Sequence, residues 1–236
     1  MSSGLGKDWE KILDDLRTIA PYYERGNSIL SFGKASALRR RALSMALGRA
    51  GILVDVGSGP GSMAVEALKL MPQLEAVLVD PLSEMLKLAA ENRMLKGAHF
   101  VRGVYEHLPF REGVFSAYAA GFTLRDAKDR WAAIKEARRI LAIGGCVAVV
   151  DLGKPDSRPK RILVYLYWRL VAPLILLLLM GSAGAPYRDI YITVKKLPVN
   201  SRLEADFSSI FGEAEVETEE KLLGGVLILV AKKRIS

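Results

Sequence analysis

Sulfur and imidazole are scarce in this chain. Its 236 residues hold one cysteine, Cys146, and two histidines, His99 and His107. A lone cysteine excludes an internal disulfide and points to a reducing compartment. Its place in the apolar run Cys146-Val147-Ala148-Val149-Val150 predicts buried packing rather than nucleophilic duty. No grouping of His, Cys and Glu has metal-ligand spacing, so no metal is expected. Neither histidine reads as a base: His107 fits a turn, and His99 opens a strand with no evident partner. The stretch from Met1 to Glu10 lacks the apolar core of a signal peptide, so a cytoplasmic location is expected. There is no internal repeat and no low-complexity tract.

What the chain does hold is apolar and basic. Half of its residues are hydrophobic and a quarter charged, the balance of an ordered chain that can bury a substantial core. Its length suits a single domain over residues 1–236. The formal charge of +8 favours anionic partners: nucleic acid, anionic lipid or an acidic substrate. The alternative is that Arg39-Arg40-Arg41, Arg138-Arg139, Lys154 to Arg161, Lys195-Lys196 and Lys232-Lys233-Arg234 are solvated faces.

From Gly51 onward, short apolar runs alternate with helical stretches. Strands are predicted at Ile52–Val56, Ala76–Asp80, His99–Gly103, Phe115–Gly121 and Cys146–Asp151, with helices at Ser62–Leu70, Ser83–Leu95 and Ala127–Leu141. Two last strands, near Glu213–Thr218 and Val226–Ala231, flank a turn containing Gly224-Gly225. The alternation predicts an α/β fold: a Rossmann-like doubly wound sheet of seven strands, mostly parallel, with an antiparallel C-terminal hairpin. Residues 1–50 form an N-terminal helical arm, two or three helices broken near Pro21 and Gly33. Residues 51–160 form the core, 161–198 an apolar helical cover, and 199–236 a C-terminal helix and hairpin.

The cover contains the greasiest stretch of the protein, Arg161 to Tyr187. Its length reaches the ~20 residues a helix needs to cross hydrocarbon, but Arg169 and Pro173 interrupt it. A span would also strand the final hairpin across the bilayer. A cover packed on the domain or against a second copy in a homodimer, or a lid dipping into one leaflet as a peripheral membrane contact, fits better. Trp168, Tyr165 and Tyr167 beside Arg158, Lys160, Arg161 and Arg169 suit a lipid–water boundary.

The most informative segment is Leu53-Val54-Asp55-Val56-Gly57-Ser58-Gly59-Pro60-Gly61, an apolar run ending in an acid and a glycine turn. Asp80 closes the next apolar run. The pattern suits a cofactor with a nucleoside's two ribose hydroxyls, held at the carboxyl end of a parallel sheet. A dinucleotide turn reads Gly-x-Gly-x-x-Gly, whereas the register here is Gly57-x-Gly59-x-Gly61, with Ser62 in the sixth place. An acid at Asp55 would repel a pyrophosphate, but it helps to hold a sulfonium and an ammonium. A tight turn with no ligand is the plain alternative, and for Asp80 it is an acid capping the next helix.

Asp55-x-Gly57-x-Gly59-x-Gly61 with Asp80 resembles the class I S-adenosylmethionine-dependent methyltransferases. Further motifs resemble one branch, the ubiquinone/menaquinone-biosynthesis C-methyltransferases. They are Tyr23-Glu24-x-x-Asn27-x-x-x-Ser31-Phe32-Gly33, Glu106-His107-Leu108-Pro109-Phe110, Phe122-Thr123-Leu124-Arg125-Asp126, Arg139-Ile140-Leu141 with Gly144-Gly145 as the loop before the fifth strand, Asp151-Leu152-Gly153-Lys154-Pro155, and Tyr187-Arg188 with Pro198. They run collinearly from about Tyr22 to the end. The chain departs from the branch at four places: Val104-Tyr105 where an Asn or Asp meets the adenine amino group, Thr123 for Gly, Asp126 for Asn, and Leu38 for Trp.

The resemblance implies S-adenosylmethionine as cofactor, S-adenosylhomocysteine as product and no metal. By it, Gly57, Ser58, Gly59, Pro60 and Gly61, near Asp55, wrap the methionine portion, and Asp80 takes both ribose hydroxyls. Val104 and Tyr105 flank adenine, and Gly121 lies near the methyl donor. Arg125 stabilises a phenolate, and Tyr187 joins it in orienting the acceptor ring with Tyr23, Asn27 and Phe122. Tyr23, Asn27 and Ser31 recur every four residues and so share a helix face; local capping is the alternative. The implied acceptor is a prenylated quinol or similar lipid-soluble aromatic. Rival readings are methylation of another small molecule such as a sterol or arsenical, an RNA methyltransferase, a dehydrogenase, and a non-catalytic scaffold. One cysteine argues against arsenic chemistry, and the absence of an Asn-Pro-Pro-Tyr motif after the fourth strand argues against nucleic acid.

Overall fold

The computed structural model describes residues 4–48 and 51–234. Met1–Ser3, Arg49 and Ala50 at the end of the expected arm, and residues 235–236 lie outside the described residues. Strands β1 (Ile52–Val56), β2 (Glu75–Asp80), β3 (His99–Arg102), β4 (Phe115–Gly121), β5 (Leu141–Leu152), β6 (Val216–Lys221) and β7 (Val226–Lys232) form one sheet. Their order is β3-β2-β1-β4-β5-β7-β6. The β1, β2, β3, β4 and β5 pairings are parallel, while β7 runs antiparallel to both β5 and β6. This is the predicted seven-strand doubly wound sheet with its antiparallel closing hairpin.

The strands read as continuous apolar runs because both faces are covered. Successive residues then feed opposite cores. In β4, Ala117 and Ala119 pack on one side, while Phe115, Tyr118 and Ala120 pack on the other. In β7, Val226, Ile228 and Val230 alternate in the same way with Leu227, Leu229 and Ala231. Helices α3 (Ala35–Ala46) and α4 (Ser62–Leu70) cover the first face, and α6 (Arg130–Ile140) and α10 (Asn200–Phe211) the second. Helix α5 (Ser83–Glu91) packs with α4 beside β2.

Several boundaries differ from expectation for local reasons. Asp129 accepts from the N–H groups of Trp131 (3.0 Å) and Ala132 (3.2 Å), so α6 starts there rather than at Ala127. Asn92 accepts from Met94 N and opens a separate short turn, Arg93–Leu95, ending α5 early. Gly144-Gly145, expected as a loop, lies inside β5, which begins at Leu141 with a register shift against β4. The first strand of the hairpin begins at Val216, after a short turn at Glu213–Glu215. Cys146, expected to be buried, is half-buried.

The N-terminal arm comprises α1 (Trp9–Ile19), α2 (Tyr23–Leu30) and α3, broken near Pro21 and Gly33 as predicted. The cover comprises α7 (Arg158–Leu166), a π-helical turn at Tyr167–Val171, α8 (Ala172–Met180), a 3-10 stretch at Gly181–Asp189 and α9 (Ile190–Lys196). Val164, Trp168, Ala172 and Leu176 recur every four residues and are buried. Ile162, Leu166, Leu170, Leu174 and Leu178 recur at the same spacing, offset by two, and are exposed. The π turn adds a residue to the helix there, which helps a four-residue stripe stay on one side. Both ends of the cover are clipped together: Lys154 Nζ donates to the carbonyls of Lys195 (3.0 Å) and Leu197 (2.8 Å), and Lys154 N donates to Asn200 Oδ1 (2.7 Å).

Candidate functional site

Two cavities meet at the carboxyl ends of β1 and β4. The first is a cleft formed by the glycine turn, the ends of β2 and β3, and the arm. Gly57, at φ 65°, leads out of β1, and a Cβ there would stand 2.1 Å from the Tyr105 hydroxyl oxygen. Gly61, at φ 84°, would meet Leu95 at 2.4 Å. Only glycine supplies both the left-handed turn and the clearance. The turn is tied to β2 by Ser58 N donating to Val79 O at 3.0 Å.

Asp80 accepts from Gly59 N at 2.8 Å through Oδ2 and from Leu82 N at 2.9 Å through Oδ1. The helix-start reading of Asp80 is therefore part of its role. Each oxygen still has acceptor capacity left for a hydroxyl, and the residue lines the cleft. Burial pushes its carboxyl up to about 6, against the two backbone donors.

Gly57, Gly59, Asp80, Val104, Tyr105 and Tyr23 all line this cleft, with Leu82, Met85, Thr123 and Asp126. From the arm, Trp9, Leu13 and Leu16 close over it, and the Ser62 hydroxyl donates to Glu24 to tie arm to turn. The Tyr105 hydroxyl reaches under β1, 2.8 Å from Val56 O, and also bonds Thr123 Oγ1. Burial raises that phenol well above its usual range, so it stays a donor.

Other predicted cofactor residues stand behind the wall. Asp55 is fully buried and accepts from Ala64 N at 3.0 Å, holding the first turn of α4. Burial lifts it to about 7, opposed by the Ala64 bond and by Arg39. Ser58 and Gly61 shape the turn without lining the cleft, and Pro60 faces a separate surface hollow. Gly121 packs on Met63 and Arg39.

The second cavity is an apolar groove with about 1090 Å³ of empty space, part of it open to solvent. Asn27, Leu30, Ser31 and Phe32 contribute from the arm, Phe122 and Arg125 from the end of β4, and Leu163, Val164, Tyr167 and Trp168 from the cover. Leu222 and Leu223, in the turn between β6 and β7, complete its rim.

Phe122 to Asp126 forms the wall between the cavities: Arg125 lines the groove and its neighbour Asp126 the cleft. Asp151 Oδ2 accepts from Arg125 N (2.8 Å), and its Oδ1 from Arg125 Nη1 (2.9 Å). Asp126 Oδ2 lies 3.5 Å from Arg125 Nη2. Burial works against the arginine's charge, but Asp126 and Asp151 outweigh it and hold the guanidinium protonated. Burial raises Asp126 to about 7 although Arg125 opposes it. Arg39 lies over the Phe122 ring, 5.3 Å from its centroid.

Three polar atoms around the wall are buried without a close hydrogen-bond partner: Arg125 Nε, Asn27 Nδ2 of α2, whose side chain bears on the Tyr23 hydroxyl, and Asp126 Oδ1. The first two belong to groove residues and are donors; the third belongs to the cleft and is an acceptor. Unpaired buried polar groups are costly, so the groove is built to receive an oxygen and the cleft a donor such as an ammonium. With the glycine turn and Asp80, these features fit S-adenosylmethionine.

Tyr187 does not reach either cavity. It packs beneath α2, its hydroxyl 3.3 Å from Tyr22 O, where a Cβ on Gly26 would collide with it. His99 is exposed, 3.5 Å from Glu75. Among the described residues, no group of three or more His, Cys, Asp and Glu is placed to hold a metal ion. Thr123, Asp126 and Asp151 enter the site without having been assigned to it; their signal was their place within the Phe122 and Asp151 motifs. Trp9, Leu13 and Leu16 left none, since an amphipathic helix does not state what its apolar face covers.

Comparison with known proteins follows the same lines. A model of the ubiE/COQ5 methyltransferase family matches residues 7–230. The demethylmenaquinone methyltransferase of Chlamydia caviae is 32% identical over 91% of this chain and 90% of its own length. That of Thermus thermophilus is 32% identical over 79% of this chain and 86% of its own. Among solved structures, the plantazolicin methyltransferase BpumL in complex with SAH superposes with a TM-score of 0.67 at 14% identity, covering 98% of this chain and 95% of that one. A SAM-dependent methyltransferase from Thermotoga maritima superposes at 0.62 and 18% identity, covering 94% and 100%.

Proposed function

The chain belongs to the ubiE/COQ5 methyltransferase family, and from that premise we propose that it C-methylates a prenylated quinol of the demethylmenaquinol type. It is an S-adenosylmethionine-dependent methyltransferase, and the acceptor is what the geometry helps to choose. The observation that carries the choice is the wall at Phe122–Asp126, with unpaired donors of Arg125 and Asn27 on its groove side. An aromatic head with a ring oxygen and a long apolar tail matches that groove; the basic clusters contribute little to it, which disfavours RNA.

S-adenosylmethionine supplies an electrophilic methyl on a positively charged sulfur and leaves as S-adenosylhomocysteine. The chain's own residues align, shield and polarise. Arg125, held charged by Asp151, stabilises the oxygen of the quinol as its proton passes to water at the open side of the groove. Electron density then rises at the neighbouring ring carbon, which becomes the nucleophile to which the bound cofactor would give up its methyl, the carbon–sulfur electron pair remaining with the departing thioether. The ring carbon finally loses its hydrogen as a proton to water at the open side of the groove, and aromaticity returns. Asn27 orients the same head, Phe122 lies along it, and Tyr23 closes the cleft side. Asp80 takes the ribose hydroxyls, and Asp126 offers its free oxygen to the methionine ammonium. Trp9 and Leu13 exclude water from the cleft.

The reading places the protein in the cytoplasm, meeting its acceptor at the inner face of a membrane. Purified protein supplied with labelled S-adenosylmethionine and a demethylated quinol should yield a product bearing one new methyl on a ring carbon. Methylation of water-soluble acceptors alone overturns the lipid acceptor.

A further inference from the structure

Four non-glycine residues among those described have positive φ: Phe32 (50°), Phe122 (63°), Leu222 (51°) and Leu223 (61°). All four line the apolar groove. Bulky side chains rarely adopt this conformation, and such strain gathers where a site needs it. Phe122 sits on the inner wall. The other three stand at the mouth, where Phe32 is 66% exposed, Leu222 48% and Leu223 62%. Two leucines turned outward in adjacent left-handed positions are strained and water-exposed at once.

The same mouth is bordered by Leu163, 55% exposed, from the cover, whose outward stripe runs on from Ile162 to Leu178. Three segments distant in sequence therefore bring exposed apolar side chains to one opening. Along the cover segment that borders the mouth, the charge has one sign. Between Asp156 and Asp189 the chain has Arg158, Lys160, Arg161, Arg169 and Arg188 and no acid. Lys34 flanks Phe32 and Lys221 flanks the leucine turn. The acids nearest that turn are engaged: Glu219 with Arg41 and Lys221, and Glu220 with the Asn200 amide.

We propose that Phe32, the Leu222-Leu223 turn and the outer stripe of the cover form one rim that inserts into an anionic bilayer, so that the groove opens directly onto hydrocarbon. Apolar side chains enter the acyl region while the basic residues meet lipid phosphates. The tail of a lipid-soluble acceptor then enters the groove without crossing water. This inference rests on the acceptor class proposed above and adds the surface and partner that deliver it.

The test uses the full chain floated with phosphatidylcholine vesicles, with and without one third phosphatidylglycerol. Wild-type protein should float with the anionic vesicles and lose binding as salt rises. Leu222→Ser combined with Leu223→Asn keeps residues that tolerate the turn, and should weaken vesicle partitioning at least about tenfold. Ile143→Ser, at an exposed position outside the groove lining, should leave it unchanged. All three proteins should bind S-adenosylhomocysteine alike by calorimetry, which shows that the fold is intact. Equal flotation of wild type and double variant, equal binding to neutral vesicles, or a self-association that the double variant abolishes without any vesicle binding, overturns the proposal. Vesicle binding as expected without quinol methylation defeats only the acceptor assignment; quinol methylation in detergent without vesicle binding defeats only the rim.

Discussion

Arg125 and Asp126 are sequence neighbours that serve different cavities, so substitutions here should separate the two halves of the reaction. Arg125→Lys keeps a cation beside Asp151 but loses the guanidinium fork. It should lower kcat at least about tenfold while changing S-adenosylhomocysteine affinity by less than about twofold; a parallel loss of both would place Arg125 in cofactor binding. Arg125→Met removes the partner of buried Asp151 and should cost about 3–5 kcal/mol of stability in denaturant titrations.

Asp126 makes a pH-dependent prediction. Its carboxyl is lifted to about 7 in the folded protein from 3.8, so between those values the folded state holds a proton that the unfolded chain has released. Its contribution to stability therefore falls as pH rises through that window. Asp126→Asn removes the dependence, and should gain on the order of 1–3 kcal/mol relative to wild type on going from pH 5 to pH 8. A constant difference across that range would show that the carboxyl ionises normally. At this scale the sequence was readable where a motif named both residue and partner, as with Gly57, Asp80 and Arg125. Tyr187 was misplaced because a motif shows proximity along the chain, and its hydroxyl is used up beneath α2.

Among the elements, the cover has the clearest physical signature, since it is apolar on two opposite sides. Leu176→Ala, on the buried stripe, should cost about 2–5 kcal/mol, as for a large-to-small core change. Leu178→Ser, two residues on and 74% exposed, should change stability by less than about 0.5 kcal/mol. If both cost the same, the outer stripe is buried in solution. Strands β1 and β4 were legible to the residue because their apolar runs end at Gly57 and Gly121, and helix α4 because Gly61 precedes it and Pro72 follows. The ends of α5 and α6 were not, because Asn92 and Asp129 start new hydrogen-bonding patterns inside apparently continuous helical sequence. The inner and outer stripes of the cover could not be told apart by hydropathy, since both are wholly apolar.

For the whole molecule, the cofactor cleft is formed jointly by the sheet and the arm, so ligand and fold should stabilise one another. S-adenosylhomocysteine at one hundred times its Kd adds about 2.7 kcal/mol. For a chain of this length that raises Tm by roughly 5–10 °C, measurable by scanning calorimetry. A shift confined to the arm's own unfolding, with the sheet melting unchanged, would show that arm and sheet are energetically separate. The seven-strand, mostly parallel sheet with its antiparallel hairpin was legible from the alternation of strands and helices. The closure of Trp9, Leu13 and Leu16 over the cleft was not, because the contact joins residues far apart in the chain.

Lys154 fastens the point where the chain leaves β5 to the point where it returns toward α10. Everything between behaves as a handle whose two roots are clamped to one spot on the sheet. A handle of this kind can be lengthened, shortened or exchanged without re-registering a strand. The part of the groove wall carried by Leu163, Val164, Tyr167 and Trp168 thus hangs on a loop that can change without disturbing the sheet.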